Sequence, residues 1–258
     1  MIPQKGARMG DTEYLETPQG RRLAYHMSAG KGPCIVFLGG LKSDMEGTKA
    51  LFLEEWARSR GHAFLRFDYS GHGQSSGAFE EGCIGDWHED TLAAVDALTD
   101  GPILPVGSSM GGWQALLLAR ERADRIAGLV TIAAAPDFTE DSYWASFTDA
   151  QRALLAGVGQ VELPSDYMEP YVITRRMIED GRQRLVLRSP LELPFPVRFL
   201  QGTADTAVST RTAMRLLEHA NGPDMRLTLV KDADHRFSDD PCLALLRETI
   251  EQVIGEDS

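Results

Sequence analysis

The chain has no apolar run approaching the roughly 20 residues needed to cross a bilayer, so a membrane-spanning helix is excluded. Cysteine is scarce. Cys34, Cys83 and Cys242 form no CxxC pair and leave an odd count, which argues against a disulfide framework and for reduced, buried thiols. The six histidines are too scattered for a zinc motif. Positive charge is in deficit: 26 Lys and Arg stand against 38 Asp and Glu, a formal net charge of −12. That balance speaks against nucleic acid or an anionic membrane as the main partner. Residues 1–10 contain neither an apolar core nor an Arg/Ser-rich amphipathic stretch. No export or transit signal is therefore expected, and with reduced thiols a cytoplasmic location follows. What remains is 258 residues, 43% hydrophobic and 25% charged. That is enough for one large α/β domain with a sizeable core.

The most informative segment present is Gly107-Ser108-Ser109-Met110-Gly111, a G-x-S-x-G sequence. The apolar run Ile103-Leu104-Pro105-Val106 precedes it and the helix-forming Trp113-Gln114-Ala115-Leu116-Leu117-Leu118-Ala119 follows. Strand, glycine-bounded serine and helix in that order make the context of a nucleophile elbow. The glycines leave room for a tight turn, and Ser109 would project at a helix N-terminus, where backbone N–H groups favour developing negative charge. A bare G-x-S-x-G also fits a small-residue turn, so the partners decide.

A serine hydroxyl needs a histidine to take its proton and an acid to orient that histidine. Downstream, Val197-Arg198-Phe199-Leu200-Gln201-Gly202 runs into Thr203-Ala204-Asp205, and the strand-like Met225–Val230 run is followed within one loop by His235. Acid and base thus fall just beyond strand C-termini, the edge where open α/β sheets bind ligands. His26 and His62 precede the serine near strands, and His88 and His219 lie on predicted helices. His72, in Gly71-His72-Gly73, reads as a turn residue near the site. His235 alone follows the acid on a post-strand loop. Asp205 is the preferred acid. Asp232 and Asp234 read as solvated loop carboxylates, with Glu192 and Asp137 as distant alternatives. For the oxyanion hole, the expected donors are the backbone N–H of Met110 and, after the apolar run ending in Gly39-Gly40, that of Leu41.

Strand-like segments recur at 34–38, 63–67, 103–106, 126–133, 196–200 and 225–230, behind a pair at 13–28. Helical stretches at 46–60, 88–98, 111–122, 209–220 and 242–254 separate them. The alternation predicts a mostly parallel sheet covered on both faces by helices, in a single domain over 1–258. From about 137 to 192 the alternation breaks. The segment is aromatic and helix-prone, too long for a simple connection, and is expected to be a small helical lid. Its Trp144, Phe147, Tyr167 and Tyr171 would favour an apolar acyl group.

Triad order and elbow resemble the α/β-hydrolase superfamily over essentially the whole chain. More narrowly, Gly40-Leu41-Lys42-Ser43-Asp44-Met45-Glu46-Gly47-Thr48-Lys49-Ala50, Arg66-Phe67-Asp68-Tyr69-Ser70-Gly71 and Val106–Trp113 resemble its mitochondrial palmitoyl-protein thioesterases, which also cleave acyl glucuronides such as that of mycophenolic acid. The resemblance places nucleophile, acid and base on Ser109, Asp205 and His235. It implies an acyl-enzyme mechanism without cofactor or metal, on small-molecule or protein-linked acyl thioesters or esters. Alternatives are a general carboxylesterase, a C–C bond hydrolase, a peptidase of the same fold, or a ligand-binding protein that has kept the pocket.

Overall fold

The computed structural model describes residues 11–164 and 170–255. Its main sheet contains β1 (Glu13–Glu16), β2 (Arg22–Ser28), β3 (Lys31–Leu38), β4 (His62–Phe67), β5 (Ile103–Ser108), β6 (Leu129–Ile132), β10 (Val197–Gly202) and β12 (Met225–Val230). Their order across the sheet is β1-β2-β4-β3-β5-β6-β10-β12. β1, β2 and β4 pair antiparallel and every pairing from β4 to β12 is parallel. The parallel strands need crossover connections, supplied by α1 (Thr48–Arg60), α2 (Ile84–Leu98), α3 (Met110–Glu121) and α6 (Thr210–His219), with α7 (Asp240–Ile254) following the last strand.

The core is two-sided. On β3, Cys34, Val36 and Leu38 join a buried cluster that includes residues of α2, α3 and α6. Ile35 and Phe37 join a second cluster with residues of α1 and α7. A strand covered on both faces reads as a continuous apolar run rather than an alternation, which is how this one appears in the sequence.

Pro105 lies inside β5, a central strand, where a residue without N–H is out of place. The sheet accommodates it by skipping: Ile103 bridges Ile126, and pairing to β6 resumes at Val106 with Val130. Three residues on β5 thus span four on the partner, a bulge opposite the proline.

Between β6 and β10 the chain makes the long excursion seen in the sequence. It holds a π-helical segment (Thr139–Trp144), α4 (Asp149–Gly157), β7 (Gln160–Leu163), β8 (Tyr171–Thr174), α5 (Arg175–Gly181) and the short β9 (Leu191–Glu192), which pairs with β11 (Ala220–Asn221). The insert, expected to be a small helical one, thus also carries short strands. β7 and β8 form an antiparallel ribbon in which Val161 faces Ile173 and both are buried. Its strands are only four residues each, too short for their β-branched alternation to stand out beside the helical pattern around them.

α3 starts hard against the sheet. A Cβ at Gly111 would lie 2.0 Å from the Leu38 carbonyl oxygen, whereas one at Gly157, at the end of α4, meets nothing within 4 Å. Gly111→Ala is expected to destabilise by about 3 kcal/mol, a fall of roughly 6–12 °C in Tm for a chain this size. Gly157→Ala is expected to leave Tm unchanged or slightly raised. Thermal denaturation of the two variants checks the contrast.

Candidate active site

Ser109 follows β5 directly and caps α3 with φ 56 and ψ −118, a region L-residues rarely occupy. Its N–H donates to Ile132 O at 2.9 Å, and its carbonyl accepts from Gly112 N at 2.9 Å and Ala135 N at 3.0 Å. The flanking glycines supply space rather than unusual dihedrals. A Cβ at Gly107 would stand 2.2 Å from Gly111 O, and neither glycine has positive φ.

The loops after β10 and β12 bring two further groups to the serine. His235 Nε2 lies 3.1 Å from Ser109 Oγ, and His235 Nδ1 lies 2.8 Å from Asp205 Oδ2. An ionised carboxylate only accepts, so Nδ1 carries the proton and Nε2 is free to accept from the serine hydroxyl. Asp205 Oδ1 accepts from Ala207 N and Val208 N at 2.8 Å each, and Oδ2 also accepts from Gln201 Nε2 at 3.0 Å. Burial pushes the Asp205 carboxyl up, but hydrogen bonds from His235, Val208 and Gln201 outweigh it and hold the group below its ordinary value. Gln201 was not singled out in the sequence. It is fully buried, and a glutamine just ahead of the glycine that ends this strand was the available signal.

The Met110 N–H is the first of α3 and has no intrahelical acceptor. Leu41 sits in the loop after β3, whose main chain runs against the nucleophile: a Cβ at Gly40 would be 3.4 Å from Ser109 Cβ. Both expected oxyanion donors thus belong to segments that border Ser109.

The competing residues are engaged elsewhere. The His26 ring contacts Thr12 Oγ1, His88 Nε2 contacts Glu121 Oε1, and His219 Nε2 contacts Ser189 O. His62 is buried at the start of β4. Asp232 is exposed, and the Asp234 carboxylate accepts from Phe237 N within its own loop. Exposed Glu192 accepts from Asn221. Asp137 is fully buried and accepts from Val186 N at 2.7 Å, Leu187 N at 3.0 Å and Arg188 Nη1 at 2.6 Å. It staples the start of the excursion to its returning limb.

Of the four aromatic residues expected to meet substrate, Phe147 is buried in the core. Trp144 is covered by the guanidinium groups of Arg152 and Arg182, 5.1 and 4.5 Å from its ring centroid. Tyr171 opens β8 opposite Lys42 of the post-β3 loop, with Lys42 Nζ 5.8 Å from its ring. Tyr167 lies outside the described residues. Phe138 and Tyr143, not among those four, form an edge-on aromatic chain with Trp113 of α3, at 5.6 and 5.2 Å between centroids. Among the described residues no group of three or more His, Cys, Asp or Glu is placed to hold a metal ion, and no helix is long and apolar enough to cross a membrane.

Comparison with known proteins identifies the family. Residues 34–171 match the family model described as alpha/beta hydrolase fold. Human palmitoyl-protein thioesterase ABHD10, mitochondrial, is 36% identical over 99% of this chain and 86% of its own length. Mouse alpha/beta hydrolase domain-containing protein 10 superposes with TM-score 0.89 at 33% identity, covering 96% of this chain and all of that one. A putative hydrolase from Agrobacterium vitis S4 gives TM-score 0.91 at 41% identity, over 95% of this chain and 98% of its own. These relatives correct one expectation. The cytoplasmic location is overturned, because the ABHD10 proteins of five mammals that resemble this chain are all named mitochondrial. The three buried free thiols do not distinguish one compartment from another.

Asp205→Asn is expected to lower kcat about 10⁴-fold by stabilising the wrong histidine tautomer. Asp232→Asn and Asp234→Asn should stay within a few fold of wild type, since Asn keeps the acceptor oxygen Asp234 uses. Because its folded pKa is depressed, Asp205 stabilises the fold above the ordinary aspartate value of about 3.9. That contribution is lost as pH falls through the lower folded value. The Tm gap between wild type and Asp205→Asn should therefore narrow on acidification, as pH-resolved thermal scans would show.

Proposed function

From a chain that belongs to the α/β-hydrolase family, and is a hydrolase of ester or thioester bonds, we propose a serine-dependent acyl-enzyme mechanism with acyl thioesters as the substrate class. The observation that carries this reading is the continuous hydrogen-bonded chain Ser109–His235–Asp205 at the carboxyl edge of the sheet. His235 Nε2 takes the hydroxyl proton as Ser109 Oγ attacks the acyl carbonyl. The carbonyl oxygen becomes an oxyanion that accepts from the Met110 and Leu41 N–H groups. As the tetrahedral adduct collapses, the C–S or C–O bond breaks, and the imidazolium, held by Asp205, gives its proton to the departing sulfur or oxygen as it leaves. Water repeats the sequence on the acyl-serine, releasing the acid and restoring the serine.

In this reading residues 137–192 are a lid on a single domain spanning 1–258. Phe138 and Tyr143 of that lid pack on Trp113 of the nucleophile helix, and its Tyr171 faces Lys42 of the post-β3 loop, which supports an apolar acyl group over a sugar or charged peptide. The thioester class itself comes from the palmitoyl-protein thioesterases the chain resembles.

The test is kcat/KM for matched S-acyl and O-acyl substrates from two to sixteen carbons, with Ser109→Ala as control. A preference for long thioesters that disappears with the serine is the expected result. A short-chain or glucuronide-ester preference would keep the serine and move the function to a general or detoxifying carboxylesterase. Turnover that survives in folded Ser109→Ala would overturn the mechanism.

A further inference from the structure

The segment Arg66-Phe67-Asp68-Tyr69-Ser70-Gly71-His72-Gly73 has no part in the triad, yet it grips the loop after β3 at both ends. At the far end, Met45 N donates to Asp68 Oδ1 at 2.6 Å. Met45 O accepts from Arg66 Nη1 at 3.0 Å, and Arg66 is itself paired with Glu54 at 2.7 Å. At the near end, Lys42 N donates to His72 Nε2 at 3.0 Å, while His72 Nδ1 lies 3.1 Å from Ser70 O. A carbonyl can only accept and a backbone N–H can only donate, so these two contacts fix one tautomer: Nδ1 protonated, Nε2 bare. An imidazolium would have no lone pair for Lys42.

His72 is kept in that state by its surroundings. It is buried, with the rings of Tyr69, Phe79 and Trp87 edge-on at 5.6, 5.4 and 5.2 Å. Burial lowers it to about 4, against the Ser70 hydrogen bond, so it stays neutral throughout the range in which a serine hydrolase works.

The residue it grips is itself unusual. Lys42 has φ 57, a left-handed backbone without glycine to ease it. It directly follows Leu41, whose N–H is the second oxyanion donor in the reading above. Only the backbone dihedrals of Leu41 and Lys42's own peptide plane separate the gripped N–H from that donor.

We propose that His72 is a positioning residue for the oxyanion hole: as a neutral hydrogen-bond acceptor it holds Lys42 in its left-handed conformation and so aims the Leu41 N–H at the reacting carbonyl oxygen. The inference rests on the reading of Ser109 as nucleophile and Leu41 as donor. It assigns a task to a motif that carries family resemblance but touches no reacting atom.

The test compares His72→Leu and His72→Met, which fill the aromatic cage without a comparable acceptor, with His72→Gln, whose amide oxygen can take the Nε2 position. Removing an oxyanion donor outright costs about 10²–10³ in kcat. A donor that is present but poorly aimed should cost less, about 10- to 100-fold, with KM for an acyl thioester within about 2-fold. His72→Gln should recover to within about 3-fold of wild type, because it restores the acceptor. The inhibition constant of a long-chain trifluoromethyl ketone, which forms an oxyanion adduct with serine, should rise in parallel with the loss in kcat/KM. The affinity for the product fatty acid should not move. Three results would overturn the proposal: unchanged kcat in a folded apolar variant, a parallel loss of fatty-acid affinity, or failure of both apolar variants to fold, which would make His72 a core residue only. Turnover that persists in Ser109→Ala would fail the nucleophile reading instead, and is visible in a different variant.

Discussion

The backbone of Ser109 is the constraint to which the carboxyl edge of the sheet is fitted. Its φ of 56 costs on the order of 1–3 kcal/mol. Hydrogen bonds to Ile132, Gly112 and Ala135, each contributing about 1 kcal/mol net, offset it. Those partners come from the end of β6, the first turn of α3 and the start of the excursion. Gly111 brings α3 close enough that the Leu38 carbonyl of β3 would touch any added Cβ. Three strand ends and one helix are therefore locked around a single residue. The Gly111 contact also fixes how closely α3 approaches the end of β3, so the fold and the proposed oxyanion geometry answer to the same packing.

Two histidines near this point make the same pattern of bonds and reach opposite chemistry. His235 and His72 both place a proton on Nδ1 and leave Nε2 as acceptor. They differ in what Nδ1 meets. For His235 it is an aspartate held in its ionised form by four donors, which stabilises an imidazolium when one forms. For His72 it is a neutral carbonyl inside an aromatic cage, where a charge would go uncompensated. In the proposed mechanism the first ring gains and loses a proton during turnover. The other is confined to a single protonation state, which suits a structural acceptor.

Much of this architecture was legible along the sequence because it is written in local periodicity. Every strand of the parallel sheet appears as an apolar run, and the five helices after them fall within a few residues of the expected spans. The order serine, acid, histidine along the chain and their positions beyond strand ends were equally local signals. What escaped the sequence is pairwise and distant. Lys42 and His72 are thirty residues apart, as are Asp205 and His235. The second pair was found only because its chemistry demands partners, while a backbone N–H meeting a neutral imidazole leaves no such trace. The β7–β8 ribbon and the Trp113–Phe138–Tyr143 chain were missed for a related reason. Both depend on which face of a short element turns inward, and four to six residues do not carry enough period to say.

Substrate choice is least legible because the triad cannot express it. A thiol such as that of cysteine has a pKa of about 8.5, while an alcohol holds its proton far more tightly, so an alkoxide is a much stronger base than a thiolate. An alkoxide must be protonated as it leaves, whereas a thiolate can depart with little help. A histidine poised to protonate the harder leaving group will serve the easier one as well, so discrimination must come from whatever meets the acyl chain and the leaving group. In the proposed reading those contacts belong to the excursion and the loop facing it. The excursion is closed at its base by Asp137 and fastened to the body by discrete bonds, such as Gly85 N to Asp180 and Trp113 Nε1 to Arg184 O. The bonds that hold Ser109, Asp205 and His235 come almost entirely from strand ends and the loops after them. In the proposed reading, substitutions across most of residues 137–192 can therefore reshape the acyl site while leaving Ser109, His235 and the N–H groups of Met110 and Leu41 where they are.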